Sequence, residues 1–234
     1  MGNVLMRTFR TGLATAVLCM LQVAAAAAGE FGWTADSAVA QIDRQARDFD
    51  AAFADFQASW QKPGADQPHR TATGRLYISR NGGLRFEQQV PDQRTMLVAG
   101  NELHDYDSVR AVVDVYPLEK HRERLAPYAR VGFTTTATRI RDDYLVTMLG
   151  EDYVNGRRII GLELTPTKAS TRETVARLQV WVDLGSWLPV KQVIVNVASG
   201  ETLTITYNGM VRNPGLDPAL FEAKWPRRTK KIAH

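Results

Sequence analysis

GRLYISRNGGLRFEQQ, residues 74–89, is the stretch that decides the fold. Leu76, Ile78 and Arg80 fall on one face of an extended chain, Asn81-Gly82-Gly83 supplies a turn, and Leu84, Phe86 and Gln88 continue on one face while Arg85, Glu87 and Gln89 take the other. Successive side chains of a strand point to opposite sides, so alternation about a glycine-rich turn is the signature of a β-hairpin. Working toward the C terminus, the same alternation predicts strands at Thr95–Ala99, Leu103–Asp107 and Val109–Tyr116. A helical interlude from Leu118 to Leu125 follows, ended by Pro127. Further strands are expected at Thr134–Ile140, Tyr144–Leu149, Arg158–Thr165, Ala176–Asp183, Leu188–Val197 and Glu201–Val211. Pro166 to Val175 reads as a loop or short helix, and Asp217-Pro218-Ala219-Leu220 as one helical turn.

Toward the N terminus the period changes. Val39, Ile42, Ala46, Phe49, Phe53, Phe56 and Trp60 recur at alternating steps of three and four, which predicts one long helix. Thr34 or Asp36 can cap its start and Pro63-Gly64 its end. One helix followed by strands in hairpin order defines an α+β fold. It is a curved antiparallel β-sheet, an incomplete or half-open barrel, with the long N-terminal helix and short lid helices over its apolar face.

Before the helix lies an address. Arg7 and Arg10 precede the apolar run Leu13–Val23 and the small residues Ala24–Ala28. That three-part order is a secretory signal peptide, residues 1–28, with 29–234 left as a single domain. The run from Leu13 to Ala28 is shorter than the roughly 20 residues of a membrane span. Cys19, the only cysteine, lies inside the signal, so the mature chain has no thiol chemistry and no disulfide.

The composition is that of a globular chain, 44% hydrophobic and 23% charged, which excludes a disordered tail and a multi-span membrane protein. A formal charge of +4 is too small to argue for nucleic acid without a cluster. The one basic run, Lys224 to Lys231, reads after a secretory signal as a solvated tail facing water or anionic lipid. No Gly-x-Ser-x-Gly elbow, His-Glu-x-x-His, P-loop or Gly-x-Gly-x-x-Gly occurs, and the four histidines have no ligand spacing. Hence no catalytic residue, no metal site and no cofactor is expected. Asp105 and Asp107, two apart on one strand face, and the adjacent Asp142 and Asp143 near a turn are carboxylate pairs, and a hydrolase could be built on one such as Asp105 and Asp107. Large apolar groups come instead from both layers: Phe49, Phe53 and Phe56 from the helix, and Leu76, Ile78, Leu84 and Phe86 from the sheet. They suit a ligand cavity and a filled core equally, so a structural envelope protein with a filled core stays open beside a binding protein.

Gly74, Leu76, Arg80, Leu84, Phe86, Pro91-Asp92, Leu97-Val98, Gly100 and Tyr106-Asp107 follow the order of a motif found in the LolA family of periplasmic lipoprotein carriers, and the stretch resembles that family. Phe53-Ala54-Asp55-Phe56-Gln57, Leu164-Thr165-Pro166-Thr167-Lys168 and the closing Phe221–Pro226 agree in order with other family segments. Asn81 stands where the family usually has a proline. The resemblance implies a carrier whose apolar cavity shields the acyl chains of lipoproteins between the inner and outer membranes. Its implied partners are an inner-membrane lipoprotein-releasing ABC transporter and an outer-membrane lipoprotein receptor. It also implies a monomer in the periplasm that is not an enzyme and binds no nucleic acid. Arg80 matches the family's lid latch, and Leu84 and Phe86 match cavity positions. With Val98 and Tyr106 of the same motif, these complete the candidate cavity set. The alternative on the same fold is a carrier or sensor of a free lipid or glycolipid.

Overall fold

The computed structural model describes residues 32–81, 83–120, 133, 137–154 and 156–234. The expected signal peptide lies outside the described residues. So does most of the expected helix Leu118–Leu125, of which 118–120 are helical.

Helix α1 spans Ala35–Arg47. Thr34 caps it: the Ser37 backbone N–H donates to Thr34 Oγ1 (3.2 Å), and the Thr34 N–H donates to Ser37 Oγ (2.9 Å). The expected long helix ends here, and the chain turns into strand β1 (Ala51–Gln61). The physical reason lies in the residues between the aromatics. Ala52, Ala54, Phe56, Ala58 and Trp60 alternate with Phe53, Asp55, Gln57, Ser59 and Gln61, a second apolar period that the three-four spacing masks. The sheet selects the strand, because β1 is hydrogen-bonded on both edges, to β2 and to β11. Pro63-Gly64 accordingly lies in the connection between two strands, with Gly64 at a φ of +71°.

The remaining strands are β2 (Arg70–Ser79), β3 (Leu84–Val90), β4 (Arg94–Ala99), β5 (Glu102–Asp107) and β6 (Val112–Pro117), then β7 (Tyr144–Val154), β8 (Arg157–Pro166), β9 (Val175–Asp183), β10 (Pro189–Asn196), β11 (Thr202–Arg212) and β12 (Lys230–Ala233). They form one open sheet of order β12-β6-β5-β4-β3-β2-β1-β11-β10-β9-β8-β7. Two antiparallel meanders, β1–β6 and β7–β11, are thus joined edge to edge by β1 against β11. The decisive hairpin forms as expected, with Leu76 opposite Phe86 and Ile78 opposite Leu84. Gly74 has a reason of its own, since a Cβ there would stand 1.9 Å from the Glu87 carbonyl oxygen.

Three further expectations are corrected. Residues expected as strand Thr134–Ile140 include the start of helix α2 (Ala137–Asp143). Ile140 is buried, and among the described residues the strand order ends at β7, which begins only at Tyr144, so the sheet holds no place for this segment. The sheet is mixed rather than antiparallel, because β12 runs parallel to β6. The basic C-terminal run is therefore not a free tail: Lys230–Ala233 is an edge strand, and the Trp225 ring stacks on Tyr106 with centroids 4.8 Å apart. Short helices α3 (Ala169–Arg172) and a 3-10 turn (Pro218–Phe221) fall where the loop-or-helix and helical-turn readings put them.

Register sorts the side chains onto two faces. Ala54, Leu76, Leu84, Val98, Leu178 and Leu162 belong to the main core on one face, which α1 joins with Ala38, Val39 and Ile42. Within it the Tyr207 hydroxyl donates to Gln192 Oε1 at 2.9 Å, and burial pushes the Tyr207 phenol up. On the opposite face Leu97, His104, Val113 and Val115 are buried outside that main core, in a second small one. The C-terminal segment covers them. Trp225 lies 6.0 Å from the His104 ring, Arg85 donates to the Leu220 carbonyl at 3.1 Å, and the Phe221 ring fills the space that a side chain at Gly83 would need.

His104 is 3% exposed, and burial lowers its pKa against the opposing pull of Glu102, whose Oε2 is 3.0 Å from Nε2, while Lys231 on β12 lowers it further. The native state thus favours neutral imidazole. As pH falls below the unfolded value of 6.5 the unfolded chain takes up the proton first, and stability is lost down to the depressed native value. The stability difference between wild type and His104→Gln, measured by urea melts, is expected to shrink from pH 7.5 to pH 5. A difference independent of pH would contradict this.

Candidate binding site

The C-terminal end of α1 leaves backbone carbonyls without helical partners. Three side chains from the sheet take them. Arg80, just past β2, donates Nη2 to the Ala46 carbonyl at 3.0 Å and also to that of Arg47. Its Nε lies 3.4 Å from Asp50 Oδ1, and its backbone N–H meets the Asp50 carbonyl at 2.8 Å. Arg212 donates to the Gln45 carbonyl and to Ser186 O at 3.3 Å, its guanidinium 5.8 Å from the Phe49 centroid. Asn213 donates Nδ2 to Asp48 O (2.7 Å), and its Oδ1 accepts from the Asp50 and Ala51 N–H groups at 2.7 and 3.2 Å. Cations at a helix C terminus also complement its dipole. This clasp fixes where α1 sits on the core face.

Farther along the same face lies a cavity of about 390 Å³, lined by Phe56, Trp60, Phe86, Met96, Leu203 and Ile205 with Arg70, Gln88, Arg94 and Asp105. All these residues come from strands: β1, β2, β3, β4, β5 and β11. Register explains the grouping. Phe86 lies opposite Met96, Trp60 opposite Leu203 and Ala58 opposite Ile205, so the inward positions of neighbouring strands meet. Small Ala58 and Ala72, paired across β1 and β2, leave the space that larger side chains would fill. The Phe56 and Phe86 rings meet edge to face at 5.5 Å. Charge collects on the other part of the lining: Arg94 donates to Asp105 Oδ2 at 3.0 Å, and the Arg70 guanidinium lies 3.6 Å from the Trp60 centroid.

The structure sorts the expected cavity residues into three groups. Phe56 and Phe86 line the cavity. Leu76, Ile78, Leu84 and Val98 are on the same face but buried in the main core, and Phe49 is buried 6.2 Å from the Phe133 ring. Phe53 and Tyr106 are on the opposite face, Phe53 5.4 Å from Tyr77 and Tyr106 under Trp225. The reason is parity: β1 turns Phe53 away from Phe56, and on β5 the neighbour of Tyr106, Asp105, is the residue that faces the cavity. Sequence reading misses Met96, Leu203 and Ile205 as lining. The signal for the last two was present, since Leu203, Ile205 and Tyr207 alternate as Phe56, Ala58 and Trp60 do. The Asp105–Asp107 pair is tied to arginines. Hydrogen bonds from the Arg110 backbone and side chain hold the Asp107 carboxyl below the usual carboxylate range.

The chain is thus an open, mainly antiparallel sheet with an apolar cavity on its helix-bearing face. Residues 44–224 match the family model "Outer membrane lipoprotein carrier protein LolA", and the chain belongs to that family. The chain is similar to several solved structures. A conserved protein from Thermus thermophilus is 9% identical over 85% of this chain and 98% of that one, with a TM-score of 0.55. An outer membrane lipoprotein-sorting protein domain from Vibrio parahaemolyticus is 13% identical over 80% and 95%, with a TM-score of 0.43. A LolA superfamily protein from Nitrosomonas europaea is 16% identical over 81% and 98%, with a TM-score of 0.42. No curated protein sequence matches the chain significantly.

Asn213 has a φ of 52°, a left-handed conformation that Asn tolerates better than Ala. Asn213→Ala adds that strain and leaves three backbone groups unpaired, for an expected loss of about 2 kcal/mol in urea unfolding. An unchanged midpoint would show that the clasp is not held there.

Proposed function

We propose that this chain is a periplasmic carrier that shields the acyl chains of lipoproteins in its apolar cavity and moves them from the inner to the outer membrane. The observation that carries the reading is the cavity of about 390 Å³, floored by Phe56, Phe86, Met96, Leu203 and Ile205. Its size falls in the range of ligand pockets, about 300–1,000 Å³. The family membership and the signal-like N terminus support the same reading. Among the described residues no helix is long and apolar enough to cross a membrane.

Transfer energies say why such a carrier is needed. A buried methylene is worth about 0.8 kcal/mol, so one long acyl chain costs about 10 kcal/mol in water. A hollow protein offsets that cost. It must also let go, and a cover that trades closed contacts for cargo contacts weakens the apparent affinity. In this reading Arg80 is the latch, acting through the α1 carbonyls it holds. An inner-membrane releasing transporter loads the carrier and an outer-membrane receptor unloads it, with no catalytic residue and no cofactor in the cycle.

Mass spectrometry of lipids and proteins that co-purify with the mature chain from its own periplasm tests the reading. Acylated lipoproteins are the expected result. Free phospholipid or glycolipid alone would replace it with a lipid carrier or sensor on the same fold, and an empty protein that also refuses a fluorescent fatty acid would remove the cavity as a binding site. Arg80→Leu is expected to slow cargo release more than capture in a transfer assay, and unchanged release would end the latch role.

A further inference from the structure

We propose that Arg70 recognises a negatively charged group at the polar end of the cargo, so that the acylated cargo of the cavity carries an anion beside its acyl chains. The inference rests on the apolar-cargo reading above and adds the chemistry of the cargo's polar end. Three observations carry it.

The first is position. Arg70 opens β2 and pairs across the ladder with Trp60, so it stands at the end of the hairpin where the cavity meets water. Arg70 is exposed, while Phe56 and Ile205 of the same lining are buried. A guanidinium there can meet a head group that stays wet while the chain lies over the apolar floor.

The second is availability. The other polar lining groups are engaged within the protein: Arg94 with Asp105 at 3.0 Å, and Gln88, whose Nε2 donates to the Asp92 carbonyl at 2.8 Å. Glu201, next to β11, lies 3.2 Å from His69 Nε2. Among the described residues Arg70 makes no ion pair and no side-chain hydrogen bond. Its partner is the Trp60 ring, 3.6 Å away. Stacking on an indole fixes the plane of a guanidinium and leaves its N–H edge free, a fork that matches phosphate or carboxylate oxygens.

The third is charge balance. The lining holds two guanidinium groups and one carboxylate, and that carboxylate is already neutralised by Arg94. An apolar trough with one uncompensated cation at its mouth complements an acyl chain that ends in an anion. A cationic head is repelled there, and a neutral sugar head has no charge to offer the guanidinium.

Isothermal titration of the intact mature chain with three ten-carbon amphiphiles, each below its micelle concentration, decides the matter: decyl phosphate, decyl maltoside and decyltrimethylammonium. The expected order is decyl phosphate tightest, about tenfold over the maltoside (about 1.4 kcal/mol), since a hydrogen bond between two charged groups is stronger than one to a neutral sugar. Added salt is expected to narrow that gap. Arg70→Gln should bring the phosphate and maltoside affinities together, and Arg70→Lys should keep part of the preference because the charge remains while the fork is lost. Equal affinities in the wild type, or a preference that survives Arg70→Gln, would overturn the head-group inference while leaving the cavity reading intact. Failure of all three probes to bind would instead remove the cavity reading, and this inference with it.

Discussion

The rest of the structure depends on the antiparallel pairing of β1 with β11. Each flanking meander is built from neighbours in sequence, but this seam joins residues 51–61 to residues 202–212. It makes one sheet of two, and the cavity exists only across it: Phe56, Trp60 and Phe86 come from one side, and Leu203 and Ile205 from the other. The clasp on α1 spans the same seam, since Arg80 belongs to the first meander while Arg212 and Asn213 close the second. A contact so distant along the chain carries a large loop-closure cost, which the local hairpins do not bear. The cavity is therefore among the structures that require the whole fold to be assembled.

Much of the architecture was legible because hairpins are local. Alternation around residues 81–83 sufficed for β2 and β3, and the same rule located most strands up to β11. The region from Phe49 to Trp60 was not legible in the same way. Its apolar residues satisfy a period of 3.6 and, once the alanines count, a period of two; only the remote partner β11 resolves the choice. The C-terminal run shows a different limit. Its charges dominate the pattern, whereas its fold is set by the Trp225 ring on Tyr106 and by four residues that add to an edge already formed. The candidate site was half legible for a related reason. Phe56 and Phe86 follow from strand faces, but Phe53 and Tyr106 were assigned by aromatic character, and one step of register puts each on the wrong side.

The two faces of the sheet divide the work. One carries the main core, α1 and the cavity. The other is solvated over β1 and β2, where Arg75 lies 3.5 Å from Asp55, and covered over β4–β6 by the C-terminal segment. That covering explains how a buried histidine and two buried valines can sit on the face away from the main core. The cavity and the packing around His104 are thus separated by the thickness of one sheet.

An open sheet has two free margins, and each is an invitation for a second molecule to add a strand. Here both margins are blunted. On one side the last strand is only four residues long and begins with two lysines, a short charged border that resists further stacking. On the other, β7 carries an extra residue between Met148 and Gly150, with Gly150 at a φ of +131°, and this irregularity breaks the straight ladder that a neighbouring chain would have to match. One border short and charged, the other bulged: with these two devices the open sheet guards its hydrogen-bonding edges against a passing strand.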